Sequence, residues 1–360
     1  MTRVLHVTRD LPPRTRGGIS TAVGGLMRAS ALPCAAVSFD GWRPRGGGGG
    51  MHREGDVVRV DGPDALAGAR EFARAWRPDL VCVHHGMLWE FARDLGAPTL
   101  LYVHVVQEAL RRARGLDAPT GSERAQAVAL READALAVPS EAAASLLASV
   151  DAEAAARALV LPLGVEPPVE PATERDPDRV LCVGRFDALK GTADVLAIVE
   201  PLVRARPGTV VELVGGLPDS PKSERRWLRR WEVGPDARAA LDAPGWLDRR
   251  ELARRLRRAA VVLAPSYQET FGLAVLEAQA HGCAVVASDI PAHRERIRPG
   301  LSGILMPVGS RGELLEATLS LLEDPRNASV LGARAAKEAE GSWWSARVGA
   351  HDDAWCALGT

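Results

Sequence analysis

Short apolar runs alternate with helix-length segments along most of this 360-residue chain, and this alternation restricts the fold more than any other feature. Buried strands joined by helices form parallel βαβ units, which build α/β folds. In the first half we predict strands at Arg3–Val7, Ala35–Phe39, Val57–Val60, Leu80–Val83, Thr99–Val103 and Ala135–Pro139. In the second half we predict strands at Arg179–Val183, Val210–Val214, Pro244–Trp246, Val261–Ala264, Ala284–Ala287 and Ser302–Leu305.

The two series are separated by a stretch rich in proline and charge, Glu166–Asp178, which we interpret as an interdomain linker. Regular βα alternation on both sides of it predicts an α/β protein made of two Rossmann-like domains that face each other across a cleft. The chain is long enough for two cores.

Composition excludes several classes of protein. Apolar residues make up 46% of the chain and charged residues 25%, with a formal net charge of −1, which is typical of a globular protein and argues against a general nucleic-acid binder. No apolar run approaches the length of a membrane span, and the N-terminus enters a strand directly, so we expect a cytoplasmic protein. The five cysteines are scattered without metal-ligand spacing.

Two glutamates lie eight positions apart in the segment that follows the strand Val261–Ala264. Glu269 falls in the loop at the carboxyl end of this strand, where doubly wound sheets bind ligands. Glu277 falls in the next helix, which we predict from Leu273 to His281, with Gly282 as its stop. Free N–H groups around Gly272 and Leu273 would favour an anion. Spacing alone leaves open whether the two carboxylates are an acid and a base.

Two other loops also lie at carboxyl ends of predicted strands. Gly184 to Gly191 carries Arg185 and Lys190, and two cations in one such loop suit a diphosphate, although two solvated surface charges explain the pattern equally well. Arg16, Gly17 and Gly18 follow the first strand. Paired glycines permit close approach of the backbone to a ligand, and a plain tight turn is an equal alternative.

Histidines end two neighbouring strands of the first half. His104 follows Thr99–Val103, and His84 and His85 follow Leu80–Val83. A histidine in this place can hydrogen-bond a sugar hydroxyl or orient an acceptor, whereas a purely structural histidine is the more common case.

Two patterns are better explained without a ligand. Asp176-Pro177-Asp178 matches a metal-binding D-x-D pattern, but it lies in the proposed linker and we interpret it as a turn. Arg225–Trp231 mixes cations with indoles and could contact an anionic membrane surface, although an amphipathic surface helix suffices. The sequence shows no P-loop, no zinc signature and no Ser-His-Asp order.

Taken together, the motifs resemble the retaining GT-B-fold glycosyltransferases of family 4, the E-x7-E type of group 1. The resemblance spans most of the chain. It rests on Gly17-Gly18, Ala133-Asp134 through Pro139-Ser140, Leu163-Gly164-Val165, Val183-Gly184-Arg185 through Lys190-Gly191, Gly245-Trp246-Leu247, Glu269-x7-Glu277 with its flanking Pro265-Ser266, Phe271-Gly272 and Gly282, and Ser342–Ser345.

This resemblance implies roles for individual residues. Arg185 and Lys190 would bind the donor diphosphate, Glu269 would contact hydroxyls of the sugar, and Glu277 would hold the ribose. His104 would lie near the sugar as a further catalytic-site residue. The remaining donor-binding positions would be Gly17, Gly18, Gly184, Trp246, Leu247, Thr270, Phe271, Gly272 and Leu273.

The resemblance also implies an organisation and an activity. Residues 1–168 would form an acceptor-side domain, 169–340 a nucleotide-sugar-binding domain, and 341–360 a helix that packs back on the first domain. The enzyme would transfer a sugar, with retention, from a nucleotide-diphosphate sugar to a hydroxyl of a natural product, lipid or cell-surface glycan. It would need no metal or other cofactor, and it would be cytoplasmic, with peripheral contact at the inner membrane face where the acceptor requires it.

Two other functions stay open on the same scaffold, a nucleotide-sugar 2-epimerase and a non-catalytic glycosyltransferase-like partner subunit. The loops expected to build the acceptor site carry no transferable motif. They are Arg9–Arg16, Trp42–Gly50, His84–Trp89 and Val105–Asp117.

Overall fold

A computed structural model of the chain describes residues 1–13, 17–40, 50–170, 174–216 and 234–359. These residues divide into two compact units, Met1–Gly164 together with Trp344–Thr360, and Val165–Trp343. The units therefore change over at residues 164/165 and 343/344, whereas the sequence suggested 168/169 and 340/341. Arg16, the loop 42–49, the segment 217–233 with its Arg225–Trp231 motif, and residues 171–173 of the proposed linker lie outside the described residues.

Each unit is built on one sheet. In the first unit the order is β3-β4-β2-β1-β5-β6-β7-β8, parallel except for the antiparallel pairing of β3 with β4. In the second the order is β11-β10-β9-β12-β13-β14, with parallel pairing throughout. The strands are β1 Val4–Thr8, β2 Cys34–Ser38, β3 Met51–Glu54, β4 Val57–Val60, β5 Leu80–Val83, β6 Thr99–Tyr102, β7 Ala135–Val138, β8 Ala158–Val160, β9 Asp176–Gly184, β10 Val210–Gly215, β11 Leu241–Gly245, β12 Ala259–Ala264, β13 Ala284–Ser288 and β14 Ile304–Met306.

Helices connect the strands and bury their apolar faces against the sheets. The described α-helices are α1 Gly18–Ala29, α2 Leu66–Trp76, α3 Trp89–Ala92, α4 Gln107–Ala113, α5 Gly121–Glu132, α6 Glu141–Ala148, α7 Ala152–Ala156, α8 Thr192–Ala205, α9 Pro235–Ala239, α10 Arg249–Arg258, α11 Leu273–Ala280, α12 Pro291–Arg294, α13 Arg311–Glu323, α14 Pro325–Ala339 and α15 Trp344–Leu358. Short 3-10 helices lie at Pro63–Ala65, Gly86–Leu88, Ala188–Lys190 and Glu340–Ser342.

Most central strands are buried from end to end. In β1, β5 and β13, for example, every residue is buried, as expected for parallel strands covered on both faces. In the second unit, separate apolar clusters lie on the two faces of the sheet, one around Val180, Leu213 and Val286 and the other around Leu181, Val262 and Val285. The predicted fold class of parallel-sheet α/β domains is confirmed.

One local prediction was wrong. Asp176–Asp178, interpreted as a linker turn, is the first part of β9, and Asp176 pairs with Ala259 of β12. Arginines compensate the two carboxylates and allow the strand to begin early, since Asp176 lies 3.2 Å from Arg179 and Asp178 lies 2.8 Å from Arg206. The motif is therefore part of an arginine-paired strand end.

Within the described ranges, no helix combines the length and the apolar character that crossing a membrane requires.

Candidate functional site

The candidate site of the second unit lies where β9 and β12 end. These strands are parallel neighbours, with Leu263 opposite Cys182, so the loops that follow them begin at the same edge of the sheet. Residues 185–191 follow β9, and residues 265–272 connect β12 to α11. Both predicted groups of donor-binding residues are therefore brought together.

The two loops are joined by backbone contacts. The N–H of Tyr267 donates to the carbonyl of Leu189 at 2.8 Å. Gly191 has a φ of 65°, and a Cβ on it would lie 2.0 Å from the carbonyl oxygen of Pro265. A side chain at residue 191 would therefore push the loops apart, which explains why glycine stands here.

Lys190 and Glu269 form an ion pair across this junction. The Nζ of Lys190 donates to Oε1 of Glu269, and the Oγ of Ser266 donates to the same oxygen at 3.1 Å. Burial alone would raise the pKa of Glu269, but the charge and hydrogen bond of Lys190, together with smaller effects of His293 and Ser266, hold the pKa below its ordinary value. Glu269 is therefore ionised at neutral pH, and its contacts at Oε1 leave Oε2 able to accept hydrogen bonds from a ligand.

A second network of hydrogen bonds holds the Glu269 loop against helices α8 and α13. The hydroxyl of Tyr267 donates to Asp194 of α8 at 2.8 Å, and Arg311 of α13 contacts the other oxygen of the same carboxylate at 2.7 Å. Asp194 is buried, so this pair of contacts fixes the loop against two helices. Arg185, in contrast, is exposed and forms no ion pair with any residue that the structure describes, which leaves its charge available to an anion.

Glu277 lies on α11, just past the loop. Burial raises the pKa of Glu277 to about 7, and Arg249 offsets this shift only in part. The environment of Glu277 thus shifts its pKa in the opposite direction to that of Glu269, whose pKa is lowered. At neutral pH the Glu277 carboxyl can both donate and accept hydrogen bonds.

The backbone at Gly272, where α11 starts, is shaped so that a ligand can approach it closely. Gly272 has a φ of 80° and carries no side-chain cap, and α11 begins at Leu273. The N–H groups of the first turn are therefore not capped by a side chain at residue 272, as expected of an anion-binding helix end. Phe271 is buried under Arg296, whose guanidinium lies 3.8 Å from the centre of the ring.

His293 is a site residue that the sequence did not indicate. It is buried in α12, and its Nδ1 donates to the carbonyl of Ser288 at 2.9 Å. Its other ring nitrogen, Nε2, lies 3.8 Å from the place where a Cβ on Gly272 would be. Glu269 is close enough to act on the pKa of His293, which burial nevertheless lowers. Its position after β13, the strand next to β12, was the available signal.

Trp246 and Leu247 follow the edge strand β11, and Trp246 is exposed. Leu247 packs on the apolar cluster around Leu181 and Val262. The segment 217–233, which precedes this strand, lies outside the described residues.

The first unit holds the other predicted residues. Gly17 precedes α1 in extended backbone, with open space where a Cβ would be, and Gly18 is the first residue of that helix. His104 is buried two residues after β6, and its Nε2 lies 2.9 Å from Nδ1 of His84. The two histidines line a pocket of about 70 Å³ together with Arg9, Ile19 and Gln107. His85 accepts a hydrogen bond from the N–H of Arg9 at 3.3 Å.

A larger pocket of about 220 Å³ lies at the opposite edge of the second sheet, lined by four arginines. Each arginine has a carboxylate partner, which accounts for the cluster without a ligand. The pairs are Arg179 with Glu212, Arg254 with Glu251, Arg255 with Asp242 and Arg258 with Asp176.

Comparisons with known proteins agree with this arrangement. Residues 3–164 match the glycosyl transferase 4-like domain, and residues 177–324 match the family described as glycosyl transferases group 1. A glycogen synthase of Mycobacterium tuberculosis is 27% identical over 93% of this chain and 89% of its own length. A D-inositol 3-phosphate glycosyltransferase of Catenulispora acidiphila is 27% identical over 75% of this chain and 70% of its own length.

Solved structures show the same fold. A sucrose-phosphate synthase from Thermosynechococcus elongatus superposes with a TM-score of 0.80 at 20% identity, covering 99% of both chains. HepE of Anabaena, solved in complex with UDP-glucose, superposes with a TM-score of 0.74 at 15% identity, again over 99% of both chains. The chain therefore belongs to the group 1 glycosyltransferases, enzymes of the GT-B fold.

Proposed function

We propose that this glycosyltransferase moves a sugar from a nucleotide-diphosphate sugar to a hydroxyl acceptor, with retention of anomeric configuration and without a metal ion. The observation that carries the proposal is the Lys190–Glu269 pair, which joins a cation loop and a carboxylate loop at one sheet edge. Such a pair offers positive charge to a diphosphate and a carboxylate to sugar hydroxyls within one site.

The donor would be held by groups with distinct tasks. Arg185 and Lys190 would contact the diphosphate, together with N–H groups at the start of α11. Oε2 of Glu269 would accept hydrogen bonds from sugar hydroxyls, and Glu277 would hold the ribose. Lys190 already contacts Glu269, so this one lysine would contact both the carboxylate that binds the sugar and the diphosphate that leaves.

The chemical step would need no protein nucleophile. The bond between the anomeric carbon and the diphosphate oxygen breaks, and the acceptor oxygen bonds to that carbon on the same face of the sugar. The acceptor proton passes to the departing phosphate oxygen. Arg185 and Lys190 would stabilise the negative charge on the leaving diphosphate, which is the role that a metal fills in other transferases.

The acceptor in this proposal is a hydroxyl on a natural product, lipid or cell-surface glycan. The named relatives, a glycogen synthase and a D-inositol 3-phosphate glycosyltransferase, differ in the products that their names imply. A cytoplasmic location, with peripheral membrane contact for a lipid acceptor, is part of the proposal.

Donor turnover by a lysine variant tests the proposal directly. A panel of nucleotide sugars is screened by thermal shift, and turnover of the best donor is measured with and without EDTA. We expect Lys190→Ala to lower kcat/KM at least about 100-fold, the usual effect of removing a charge-stabilising donor. Lys337→Ala is the matched control, since Lys337 is exposed on α14 and pairs with Glu340. The product anomer, read by NMR, tests retention.

Three outcomes would contradict the proposal. Absence of nucleotide-diphosphate binding together with unchanged turnover in Lys190→Ala would show that these loops do not form the donor site. Isomerisation of the donor without any acceptor would identify a 2-epimerase. Tight donor binding without turnover over a broad acceptor panel would identify a non-catalytic partner subunit.

A further inference from the structure

Three of the four loops expected to build the acceptor site meet at one pocket of the first unit. Arg9 follows β1, Met87 follows β5 and Gln107 follows β6, and all three line the pocket of about 70 Å³. These strands are parallel neighbours, with β1 paired to β5 and β5 paired to β6, so the loops begin at the same edge of the sheet. The pocket is therefore the place where the loops of this unit converge.

One buried arginine reaches the loop after β1 from two strands away. Arg59 lies in β4 opposite Ser38 of β2, and Ser38 lies opposite Thr8 of β1. The Nη1 of Arg59 donates to the carbonyl of Leu11 at 3.3 Å, and its Nη2 donates to the carbonyl of Pro12 at 2.7 Å. Because only 4% of Arg59 is exposed, water competes little for these hydrogen bonds.

The loop depends on this arginine for hydrogen bonds to its backbone. Pro12 and Pro13 carry no N–H, so this segment has few donors with which to close a turn of its own. Within the described ranges, no backbone N–H donates to the carbonyl of Leu11 or of Pro12. On its other side the loop packs against α1, since a Cβ on Gly24 would lie 3.0 Å from Cγ of Pro12. Arg59 and α1 therefore hold the loop between them.

The charge of Arg59 is balanced by Asp40, which follows β2. The Nη1 of Arg59 donates to Oδ2 of this buried carboxylate, and its Nε lies 3.4 Å from the exposed carboxylate of Glu54. A buried ion pair is weak evidence for stability, because the cost of desolvation offsets the Coulombic attraction, and apolar residues of similar volume often pack as well. The planar guanidinium can contact Asp40 and both loop carbonyls at once, which an apolar side chain cannot do. The pair is therefore better explained by the position of the loop than by packing.

We infer that Arg59 is a positioning residue, which fixes the loop after β1 so that Arg9 forms one wall of a pocket that binds the acceptor hydroxyl. Arg9 begins this loop, and its N–H donates to Nδ1 of His85, on the loop after β5, at 3.3 Å. Release of the carbonyls of Leu11 and Pro12 would loosen this contact and admit water at the wall. The inference rests on the proposed function, in which loops of the first unit bind the acceptor.

Amide hydrogen exchange, followed by NMR of the unliganded full chain, tests the positioning without any assay of activity. We expect Arg59→Lys to speed exchange of the Arg9 amide at least about tenfold, because one ammonium cannot contact Asp40 and both carbonyls at once. The amide of His84, which donates to the carbonyl of Val7 at 3.0 Å, is the internal control and should keep its rate. An unchanged rate at Arg9 would overturn the inference, and so would equal acceleration at Arg9 and His84.

Partition of the donor sugar between water and an added hydroxyl tests the role in acceptor binding. Glycerol is the probe acceptor, offered with the best donor from the nucleotide-sugar screen, and the amounts of glycerol glycoside and free sugar are both measured. The ratio of transfer to hydrolysis does not depend on the fraction of enzyme that is folded, so a loss of stability alone leaves it unchanged. We expect Arg59→Lys to lower this ratio about tenfold, the value of one hydrogen bond. A ratio equal to that of wild type would overturn the inference.

Removal of both charges at once separates positioning from packing. Arg59→Met alone leaves the buried Asp40 carboxylate without this partner, whereas Arg59→Met combined with Asp40→Leu leaves an apolar pair, so thermal stability should recover in the double variant. The carbonyls of Leu11 and Pro12 still lose their donors. We therefore expect fast exchange at Arg9 and a lowered transfer ratio in both variants. A double variant that regains the wild-type ratio together with its stability would overturn the inference, because that outcome is what packing alone predicts.

Arg157→Lys is the matched control. Arg157 belongs to the same unit and also donates to two backbone carbonyls, those of Leu130 and Ala133 at the end of α5, but it does not line the pocket. We expect this variant to leave the transfer ratio and the exchange of the Arg9 amide unchanged, and changes as large as those of Arg59→Lys would overturn the inference. If the wild type turns over no nucleotide sugar, the proposed function fails, whereas exchange at Arg9 still decides whether Arg59 positions the loop.

Discussion

At the scale of single residues, the two glutamates differ more in environment than in chemistry. Glu269 is held ionised by Lys190, whereas burial of Glu277 raises its pKa to about 7. The sequence showed both carboxylates but left their roles open, because the partner of Glu269 is 79 positions away in the chain. His293 was missed for a similar reason, since it lies inside a short helix and not directly at a strand end.

The raised pKa of Glu277 predicts pH-dependent donor binding. In the proposed function an ionised Glu277 accepts hydrogen bonds from ribose hydroxyls, so affinity should increase as the pH rises through about 7. With this midpoint, Kd for a nucleotide sugar should be about tenfold weaker at pH 6 than at pH 8. Isothermal titration calorimetry with a nucleotide sugar, whose diphosphate diester does not titrate in this range, measures the effect.

Glu277→Gln is the control, because its binding should be weaker and nearly independent of pH in that window. The same variant also tests the direction in which Glu277 makes the folding stability depend on pH. Burial raises the folded-state pKa from 4.5 to about 7, so the contribution of Glu277 to folding is greatest below pH 4.5 and is lost as the pH rises towards 7. A pH profile of Kd unchanged by Glu277→Gln would assign the titration to another group.

At the scale of elements, the buried strands were easier to predict than the edge strands β3 and β8. The buried parallel strands read as continuous apolar runs, which identified both sheets. The edge strands β3 and β8 were not predicted, because β3 is exposed along its whole length and β8 has three residues. Without a buried face, an edge strand leaves no apolar pattern in the sequence.

Arg175 illustrates an element contact that sequence alone does not show. Its guanidinium donates to the carbonyls of Leu256 and Ala259 at 3.0 and 2.7 Å, and to the carbonyl of His281 at 2.6 Å. These carbonyls end helices α10 and α11, so one side chain caps both. The contact ties the base of the donor-site helix to its neighbour.

We expect Arg175→Ala to lower the free energy of unfolding by about 2–4 kcal/mol, because several carbonyls lose a charged donor. Arg175→Lys should recover part of the loss, since an ammonium cannot reach every carbonyl at once. Arg204→Ala is the matched control, as Arg204 is exposed and pairs with Glu200 one helical turn away, and it should cost less than about 0.5 kcal/mol. Equal losses for Arg175→Ala and Arg204→Ala in urea denaturation would show that the double cap does not stabilise the fold.

At the scale of the whole molecule, two units share one chain, and the last helix belongs to the first of them. No periodicity in the sequence links α15, which begins at Trp344, to the rest of its unit, which ends at Gly164; only the family resemblance suggested this return. The physical basis lies in Trp344, which is buried in the first unit. A Cβ on Gly25 would lie 2.1 Å from the indole nitrogen of Trp344, and one on Gly164 would lie 2.6 Å from its ring.

These contacts predict a loss of stability confined to one unit. A methyl group at residue 25 has no room beside Trp344, so Gly25→Ala should destabilise the first unit by about 1–3 kcal/mol, despite the better helix propensity of alanine. Gly349→Ala is the matched control on α15, because its Cβ would meet nothing within 4 Å. That variant should be neutral or slightly stabilising.

Hydrogen exchange followed by mass spectrometry distinguishes the units. In Gly25→Ala we expect faster exchange in peptides from α1 and α15, with peptides from Val165–Trp343 unchanged. Gly25, Gly164 and Trp344 all belong to the first unit, so an overpacked contact among them loosens that core first. Faster exchange spread equally over both units would mean that the two cores unfold as one, and the return of α15 would then stabilise the entire chain instead of its first unit.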